Sequence, residues 1–519
     1  MSALSQQNNK RIAKNTLLLY FRMLFSMGIG LFTSRIVLES LGIEDYGIYN
    51  LVGGIVTIFA FLNSAMIATS QRFISYELGK GNLHKLKDVF CTTLTIHIAI
   101  AFIIVVLSEV IGVWFLNTKL NIPSDMAANW TLQLSIFVFA VNVISVPYNA
   151  SIVAHEKMSA FAYISIFEVS LKLAIAYLLL FISYDKLIVY SILVFCVALL
   201  LRSLYCFYCK RHFEECHYTF SFNIEQFREM FAFAGWSLVG NLGFSFKDQL
   251  SNILLNLFFG TVVNAARGIS VQVGSLINSF SANFMMAMNP QITKSYAVGD
   301  LYRSKELVYA GCRFSFYLLA VISLPIMINI TYILNLWLVE VPQYTDIFLI
   351  LTIVCNLLYA ISSPLTTAMQ ATGRIKWFQV IICIVMLTEL PIAYLLLSIG
   401  YPPYSVLYAS LFVTLLGVLI RIVLISRILP IYEIRYYVTH IFSKNILIVF
   451  ITYCIAYILH KKMEQDSFFT AVLSSFILEL ILFSLAYLCG LSSTERYVVN
   501  QKLVTILESK RRKNKQKNI

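Results

Sequence analysis

The sequence predicts an all-α integral membrane protein with about fourteen transmembrane helices, and three observations carry this prediction. Hydrophobic residues make up 59% of the 519 residues and charged residues only 13%, well below the ~25% charged share of soluble domains. The mean hydropathy is +0.78. Apolar runs of about 20 residues, the length that crosses the hydrocarbon core, recur along the whole chain. In water, such helices would expose apolar surface on every side.

Polar loops separate the apolar runs and place fourteen predicted spans. In chain order these spans cover residues 15–38, 46–69, 89–116, 129–153, 160–182, 187–209, 233–258, 262–288, 307–333, 346–370, 375–399, 404–426, 441–460 and 468–490. The first run is long and has no small-residue cleavage site after it, so we expect a retained span and no signal peptide. The linker 210–232 has apolar residues at helical spacing, which indicates an amphipathic helix at the membrane surface.

Lys and Arg are distributed unevenly between the two sets of loops. With the N-terminus inside, the predicted cytoplasmic segments hold 27 of the 39 basic residues and the predicted outer loops hold four. The positive-inside rule therefore predicts that both termini are cytoplasmic. The net charge of +13 follows from this topology, and we expect no nucleic-acid partner.

The chain contains an internal repeat at an offset of 217–218 residues. The loop segment Gly81–Val89 aligns with Gly299–Leu307, and Pro147 aligns with Pro364. Further matches join Gly42 with Gly260, Ala154 with Ala371 and Lys157 with Arg374. Each repeat holds six spans, an even number, so both halves enter the membrane in the same sense. Parallel repeats of this kind are typical of transporters, in which one half rocks against the other around a cleft.

The repeat defines the predicted domain organisation. In chain order we predict an N-terminal six-helix bundle over 1–209, a cytoplasmic amphipathic linker over 210–232, a C-terminal six-helix bundle over 233–430, two additional transmembrane helices over 431–490 and a basic cytoplasmic tail over 491–519.

Eight basic residues fall inside the predicted spans, where a charge is expensive unless it has a partner or faces a cavity. Three of them are arginines near predicted cytoplasmic ends: Arg202, Arg313 and Arg421. We expect their long side chains to reach the interface. Glu168 and Lys172, four residues apart on one helix face, predict a local ion pair, and so do Arg35 and Glu39.

The remaining charges predict a binding site for an anion. Arg22 lies two turns inside the first span with no acidic neighbour in sequence, and Lys247 and Asp248 lie near the middle of the seventh. Arg267 lies a turn into the eighth span. We expect Arg22, Lys247 and Arg267 to line a water-filled cleft, with helix-packing ion pairs as the alternative. Such a cleft suits a phosphate above all. Arg35 is a further cavity candidate.

Two acids in the predicted spans are candidates for coupling to a Na⁺ or H⁺ gradient. Asp248 either binds such an ion or pairs with Lys247 or Arg267, and the pairing is favoured slightly. Glu389 lies two residues before Pro391. The chain has no GxxxxGK[ST], HExxH or GxSxG motif, so we predict no built-in ATPase, no catalytic residue, no resident cofactor and no metal site.

Two segments and the layout of six, six and two spans resemble a known group of transporters. The segments are the opening NTLLLYFRMLFSMGIGLFTSRIVLESLGIEDYGIYNLVGG, which covers residues 15–54, and ATSQRFISYELGKGN after the second span. Over essentially the whole chain they resemble polysaccharide flippases (O-antigen type, Wzx-like) of the MATE-related exporter superfamily. The resemblance implies a monomer in the bacterial cytoplasmic membrane that carries an undecaprenyl-diphosphate-linked oligosaccharide for O-antigen or lipopolysaccharide assembly. Its implied partners are that substrate, membrane lipids and other polysaccharide-assembly proteins.

Three alternatives stay open at this point. Lipid II flippases of the same superfamily carry cavity arginines in spans 1, 2 and 8; Arg22 and Arg267 match, but span 2 has no arginine here. A cation-coupled MATE-type drug exporter is expected to have a net acidic cavity. The excess of basic residues within the predicted spans argues against this alternative. A membrane glycan polymerase usually has a large outer loop with catalytic acids, whereas the longest predicted outer loop, 117–128, has one acid, Asp125.

Overall fold

A computed structural model shows the protein to be all-α. It describes residues 3–57, 60–112, 114, 125–182, 184–219, 223–338, 341–461, 468–493, 495–496 and 500. Within these ranges the chain forms helices and connecting turns and contains no strand. The predicted all-α fold is confirmed.

The first part of the chain forms six helical segments. They are α1 (Ala3–Thr57), α2 (Ala60–Lys80), α3 (Leu83–Leu107), α4 (Asp125–Ala154), α5 (Met158–Leu178) and α6 (Lys186–His212). A π-helical turn, Ser108–Gly112, extends α3, and a 3₁₀ turn, Leu179–Phe181, extends α5. Inside α1, Gly42 has a non-helical backbone (φ 80°, ψ 173°). Two helices therefore meet at this glycine.

The second part of the chain begins with two long helices and contains ten helical segments among its described residues. Its members are α7 (Ile224–Phe259), α8 (Thr261–Ala297), α9 (Leu301–Ile328), α10 (Ile330–Trp337), α11 (Thr345–Thr372), α12 (Lys376–Leu387), α13 (Glu389–Ser398), α14 (Ser405–Ile428), α15 (Lys444–Lys461) and α16 (Phe468–Leu485). Short helical turns cover Glu214–Cys216, Ile434–Tyr436, Tyr437–Ser443 and Ala486–Gly490. The apolar residues of the predicted linker belong to the first turns of α7.

Eleven stretches of helix among the described residues are long and apolar enough to cross a membrane. The protein is therefore a multi-pass membrane protein. The predicted spans 46–69, 233–258 and 262–288 are not among the eleven. The last two fall within α7 and α8, whose 36 and 37 residues exceed the ~20 that cross the hydrocarbon core. These helices are long enough but more polar, and a total of fourteen spans remains a prediction.

The backbone repeats itself at the spacing that the sequence repeat predicts. Left-handed φ angles occur at Gly42 and Gly260 (80° and 77°) and at Gly81 and Gly299 (70° and 82°). Both pairs are separated by 218 residues. Asn82 accepts a hydrogen bond from the Lys85 amide, and Asp300 accepts the equivalent bond from the Arg303 amide. The two repeats therefore use the same turn and the same N-cap, a contact that stabilises a helix by about 1 kcal/mol.

The described residues divide into two compact units. Unit 1 comprises Met1–Gln249, Asn283–Leu307 and Thr366–Thr388, and unit 2 comprises Leu250–Ala282, Val308–Leu365 and Glu389–Ile519. In unit 1, an apolar cluster joins α2, α3, α4 and α6, with the rings of Phe90 and Tyr148 in edge contact. In unit 2, a cluster joins α7, α8, α11, α13 and α14 around Phe348. Lipid is as apolar as these side chains, so close packing between helices holds such clusters together.

The intramembrane charges follow the sequence predictions in part. Lys172 and Glu168 form the predicted ion pair at 2.6 Å. Arg35 and Glu39 are both exposed, and among the described residues no carboxylate oxygen lies within 4.0 Å of the Arg35 guanidinium, so their predicted pair is not formed. Arg313 is buried and bonded to Glu495, a residue of the predicted cytoplasmic tail, so its place at the interface stays a prediction.

Arg421 contradicts the prediction that its side chain reaches the interface. Its side chain is among the largest that are fully buried. The guanidinium lies over the Tyr359 ring, 5.5 Å from the centroid, and Nη1 donates to Ser362 Oγ at 3.4 Å. Arg421 thus has an aromatic face and a hydroxyl group as its partners. Its position in the sequence had predicted lipid headgroups instead.

Candidate functional site

A buried carboxylate that the sequence analysis did not single out holds several helices of unit 1 together. Glu156 lies in the turn between α4 and α5, and its side chain is fully buried. Its carboxylate binds Arg11 Nε at 2.7 Å and Lys294 Nζ at 2.8 Å. Gln291 Nε2 donates to the same carboxylate at 2.5 Å, and Asn15 Nδ2 donates to the Glu156 carbonyl at 3.2 Å. We call these five residues the Glu156 cluster.

The Glu156 cluster joins elements that the sequence assigns to different bundles. Glu156 belongs to the first repeat, whereas Gln291 and Lys294 lie on α8 in the second. Burial lowers the pKa of the Lys294 ammonium from its ordinary value, and the Glu156 carboxylate opposes that shift. Removing one member of a buried ion pair costs about 3–5 kcal/mol, because the other charge is left without compensation. The carboxylate is therefore a strong link between α8 and the α4–α5 turn.

Glu156 also holds an unusual backbone conformation. Its φ of 59° is left-handed, which costs an L-residue other than glycine about 1–2 kcal/mol. The residue 217 positions later, Gly373, has a φ of 76° in the equivalent turn of the second repeat. In the sequence, this site is therefore indicated by a glutamate at the position where the second repeat has a glycine. The search for charges within spans missed it, because Glu156 lies in a loop.

The equivalent turn of the second repeat is held by an arginine from the first repeat. Arg72 on α2 donates to the carbonyls of Gln370 and Ala371 at 3.3 and 3.4 Å. These carbonyls belong to the last turn of α11, where a cation is favourable. A Cβ atom at Gly373 would lie 2.8 Å from Arg72 Nη2 and would displace this guanidinium, and the left-handed φ itself favours glycine.

Arg22, the first predicted binding residue, has neutral partners. Its Nη2 donates to Asn283 Oδ1 at 2.8 Å, and its guanidinium lies 4.8 Å from the centroid of the Phe161 ring. Among the described residues no carboxylate oxygen lies within 4.0 Å of it, and its Nε is buried with no hydrogen-bond partner. Arg22 therefore keeps its charge and part of its donor capacity.

The other predicted residues have different partners. Lys247 and Asp248 form an ion pair at 3.5 Å, in which Lys247 is the more buried side chain. In unit 2, Arg267 is buried and its Nη1 lies 3.5 Å from Thr352 Oγ1. The pairing of Asp248 with Lys247, which the sequence favoured slightly, is present.

Glu389 occupies a break in its helix. α12 ends at Leu387 and α13 begins at Glu389, just before Pro391. The Glu389 side chain is fully buried, and its Oε1 accepts a hydrogen bond from Ser251 Oγ at 3.1 Å. A carboxyl group at a helix break inside a membrane protein is a candidate for binding a proton or a cation. Over the part of the chain that the structure describes, no group of three or more metal-ligating side chains occurs.

Solved structures of MATE and MOP transporters have the same fold as this chain. The chain matches a single-residue mutant of the Vibrio cholerae MATE transporter VcmN with a TM-score of 0.71 and 13% identity over 84% of this chain and 100% of that one. It also matches a MOP superfamily transporter from Pyrococcus furiosus, whose binding pocket is described as having reverse polarity. The TM-score is 0.65 and the identity 12%, and the match covers 80% of this chain and 96% of that one. At such identities the likeness concerns the fold.

Family models match most of the chain. Residues 12–296 match the model of the polysaccharide biosynthesis protein family, and residues 237–395 match the MatE model. The uncharacterized membrane protein EpsK of Bacillus subtilis (strain 168) is 20% identical over 285 residues, 54% of this chain and 55% of that protein. The alignment thus spans about half the length of this relative.

The fold and these matches define a membrane transporter of the MOP/MATE superfamily. Within that class, the chain belongs to the polysaccharide biosynthesis protein family, whose model covers more than half of its residues.

Proposed function

We propose that this transporter is a flippase that moves an undecaprenyl-diphosphate-linked oligosaccharide across the bacterial cytoplasmic membrane, with both termini in the cytoplasm. Arg22 is the observation that carries the proposal. It is a partly buried arginine within an apolar helix, and its partners are an amide and an aromatic ring. Such a guanidinium can bind a diphosphate through two parallel charge-assisted hydrogen bonds.

Lys247, which lies in the same unit as Arg22, is the second basic residue proposed for the diphosphate, and Arg267 of unit 2 is a separate candidate. Both are basic residues on α7 and α8, the long helices that are more polar than the other spans. The polar faces of such helices favour contact with water rather than with lipid. The polyprenyl tail needs no polar site, because it stays in the hydrocarbon.

The Glu156 cluster fits a role in alternating access. By loop charge, the α4–α5 turn lies on the cytoplasmic side, where a lipid-linked oligosaccharide is loaded. Arg11, Glu156 and Lys294 then hold the two bundles together at that side. Loading from the cytoplasm requires these contacts to separate, and release on the outer side follows their closure. Glu389, or Asp248 when its pair with Lys247 opens, would couple this cycle to a proton or Na⁺ gradient.

A cation-coupled drug exporter is the second candidate. The MatE model matches residues 237–395, and this region contains the buried Glu389. The basic residues of the proposed site argue against organic cations as cargo. A purified protein that binds tetraphenylphosphonium and no polyprenyl diphosphate would favour this alternative.

The proposed function is tested with purified protein in liposomes that contain an undecaprenyl-diphosphate-linked oligosaccharide. The sugar that reaches the outer leaflet is measured with a membrane-impermeant lectin or glycosidase. We expect Arg22→Gln to slow translocation about ten- to hundred-fold, since a hydrogen bond to a charged group contributes ~1.5–3 kcal/mol. The translocation rate of Arg22→Lys should lie between those of the wild type and Arg22→Gln, because lysine keeps the positive charge but lacks the planar guanidinium group.

Arg211→Gln provides the matched control. Arg211 is an exposed arginine at the end of α6, so its substitution should leave the rate unchanged. Equal rates for the wild type and Arg22→Gln would remove Arg22 from the site. Absence of translocation by the wild type would overturn the proposed function itself.

A further inference from the structure

A cavity in the first repeat, separate from Arg22 and the Glu156 cluster, has the chemistry of a neutral-ligand site. Its volume is about 260 Å³, and it is lined by α1, α5 and α6. Tyr46 and Tyr49 reach it because the chain bends at Gly42, which places the segment beyond the bend against the same cavity as the segment before it. All of its lining residues belong to unit 1.

The lining is mostly apolar surface with a few hydroxyl groups, and most of its residues carry an aromatic ring or a hydroxyl. Tyr46, Tyr49 and Tyr190 contribute three phenol rings, and the Tyr49 and Tyr190 rings meet edge-to-face with centroids 5.1 Å apart. Ser26 and Thr33 on α1 add aliphatic hydroxyls. Tyrosine combines an apolar face with a polar edge. This surface matches a ligand that has C–H groups on its faces and hydroxyls around its rim.

The charged residue of the cavity is already neutralised. Lys172 lines the cavity, and its ammonium lies 2.6 Å from the Glu168 carboxylate one turn away. The pair adds no net charge, so it attracts neither a phosphate nor an organic cation. It does provide a strong donor beside a strong acceptor, and charge-assisted hydrogen bonds of this kind orient neutral hydroxyl ligands.

The size of the cavity limits its ligand further. Pockets for drug-sized ligands measure roughly 300–1,000 Å³, so a cavity of about 260 Å³ has room for one sugar ring. A pyranose has hydroxyls at its rim and C–H groups on its faces, as this lining requires. We infer that the cavity binds a single sugar residue of the transported oligosaccharide. This inference rests on the proposed function and names the part of the substrate that Arg22 does not bind.

Gly30 allows the cavity to be filled without disturbing the fold. It lines the cavity, and a Cβ atom built on it meets nothing within 4 Å. Gly30→Leu therefore places a side chain into the space proposed for the sugar. Gly28, two residues earlier on the same helix, also has open space around its Cβ position but does not line the cavity. Gly28→Leu is the matched control, with the same gain in helix propensity.

The experiment measures sugar binding directly, apart from transport. Protein in nanodiscs is mixed with glucose, galactose, mannose, rhamnose, fucose, N-acetylglucosamine or N-acetylgalactosamine, and saturation-transfer NMR reports contact with the protein. We expect at least one sugar to give a signal with the wild type and with Gly28→Leu. The signal should fall at least five-fold with Gly30→Leu.

The inference would be overturned by the absence of a signal from any of these sugars with the wild type, or by equal signals from Gly30→Leu and Gly28→Leu. Displacement of the bound sugar by tetraphenylphosphonium would also overturn it, because it would assign the cavity to cations. The proposed function fails separately. A wild-type protein that binds a sugar in this cavity but moves no lipid-linked oligosaccharide would contradict the flippase and leave the cavity as a sugar site.

Discussion

The turn at Glu156 and the turn at Gly373 occupy equivalent places in the two repeats but are held in different ways. Both have a left-handed backbone, with φ of 59° and 76°. The first is held through a buried carboxylate that binds Arg11 and Lys294. The second is held through backbone carbonyls that accept from Arg72. The same turn is thus strained and held through a carboxylate in one repeat, but relaxed and held through backbone carbonyls in the other.

The partners of the two turns are themselves equivalent. α8 of the second repeat contacts the turn of the first, and α2 of the first repeat contacts the turn of the second. The repeats therefore exchange contacts reciprocally, as a pseudo-two-fold axis requires. The difference lies in strength, because breaking a buried ion pair changes the free energy more than losing hydrogen bonds to two carbonyls. We infer that the Glu156 turn controls the separation of the repeats.

Breaking the stronger contact should have the largest effect. We expect Glu156→Gln to favour separation of α8 from the first repeat, since its carboxylate compensates two cations. Ala287, buried with Leu19, Val153 and Met158, reports that separation when it is replaced by cysteine in a background without the ten native cysteines. Labelling of Ala287→Cys by a polar maleimide should become at least ten-fold faster.

Glu225→Gln is the control for this measurement. Glu225 is an exposed glutamate in the first turn of α7, so its substitution should leave the labelling rate unchanged. An equal labelling rate in the Glu156→Gln and Glu225→Gln proteins would show that the Glu156 carboxylate does not hold the repeats together.

Substitution at the Gly373 turn should have a smaller effect, and on stability rather than on access. Gly373→Ala adds a Cβ to a residue with φ of 76°, 2.8 Å from Arg72 Nη2. We expect a loss of about 1–2 kcal/mol in the free energy of unfolding, measured as a lower midpoint of thermal unfolding in detergent. Gly235→Ala is the control, because Gly235 is helical with open space at its Cβ. A Gly373→Ala protein as stable as the wild type would contradict the account of this turn.

The smallest expected effect distinguishes the contribution of the Glu156 backbone to stability from that of its side chain. Glu156→Gly and Glu156→Ala remove the same carboxylate, but glycine adopts the left-handed backbone without strain. We expect Glu156→Gly to be more stable than Glu156→Ala by about 1 kcal/mol. Equal midpoints of thermal unfolding for the two variants would show that this backbone carries no strain.

Most of the fold could be predicted from the sequence, because each feature leaves a local signal. Apolar runs predicted the helices, and the offset of 217–218 predicted the matching turns at Gly81 and Gly299. The pair of Lys172 and Glu168 followed from their spacing of four residues. Arg35 and Glu39 have the same spacing but do not pair, so the spacing alone does not decide which pair forms.

The long-range contacts left no comparable signal. Glu156 meets Lys294 across 138 residues of sequence, and nothing in the local pattern of either segment indicates the partner. Arg421 was expected at the interface from its place near a helix end, yet neighbouring helices bury it completely. Hydropathy locates a helix in the membrane, whereas packing decides which of its faces meets another helix.

A reversible disulfide tests most directly whether the two repeats separate during transport. Asn241 on α7 donates to Ser64 on α2 at 3.0 Å, so Ser64→Cys and Asn241→Cys together can join helices from different repeats. In liposomes with the lipid-linked oligosaccharide, oxidation should stop translocation, and a reductant should restore it. Translocation at the same rate in the oxidised and the reduced protein would contradict an alternating-access carrier.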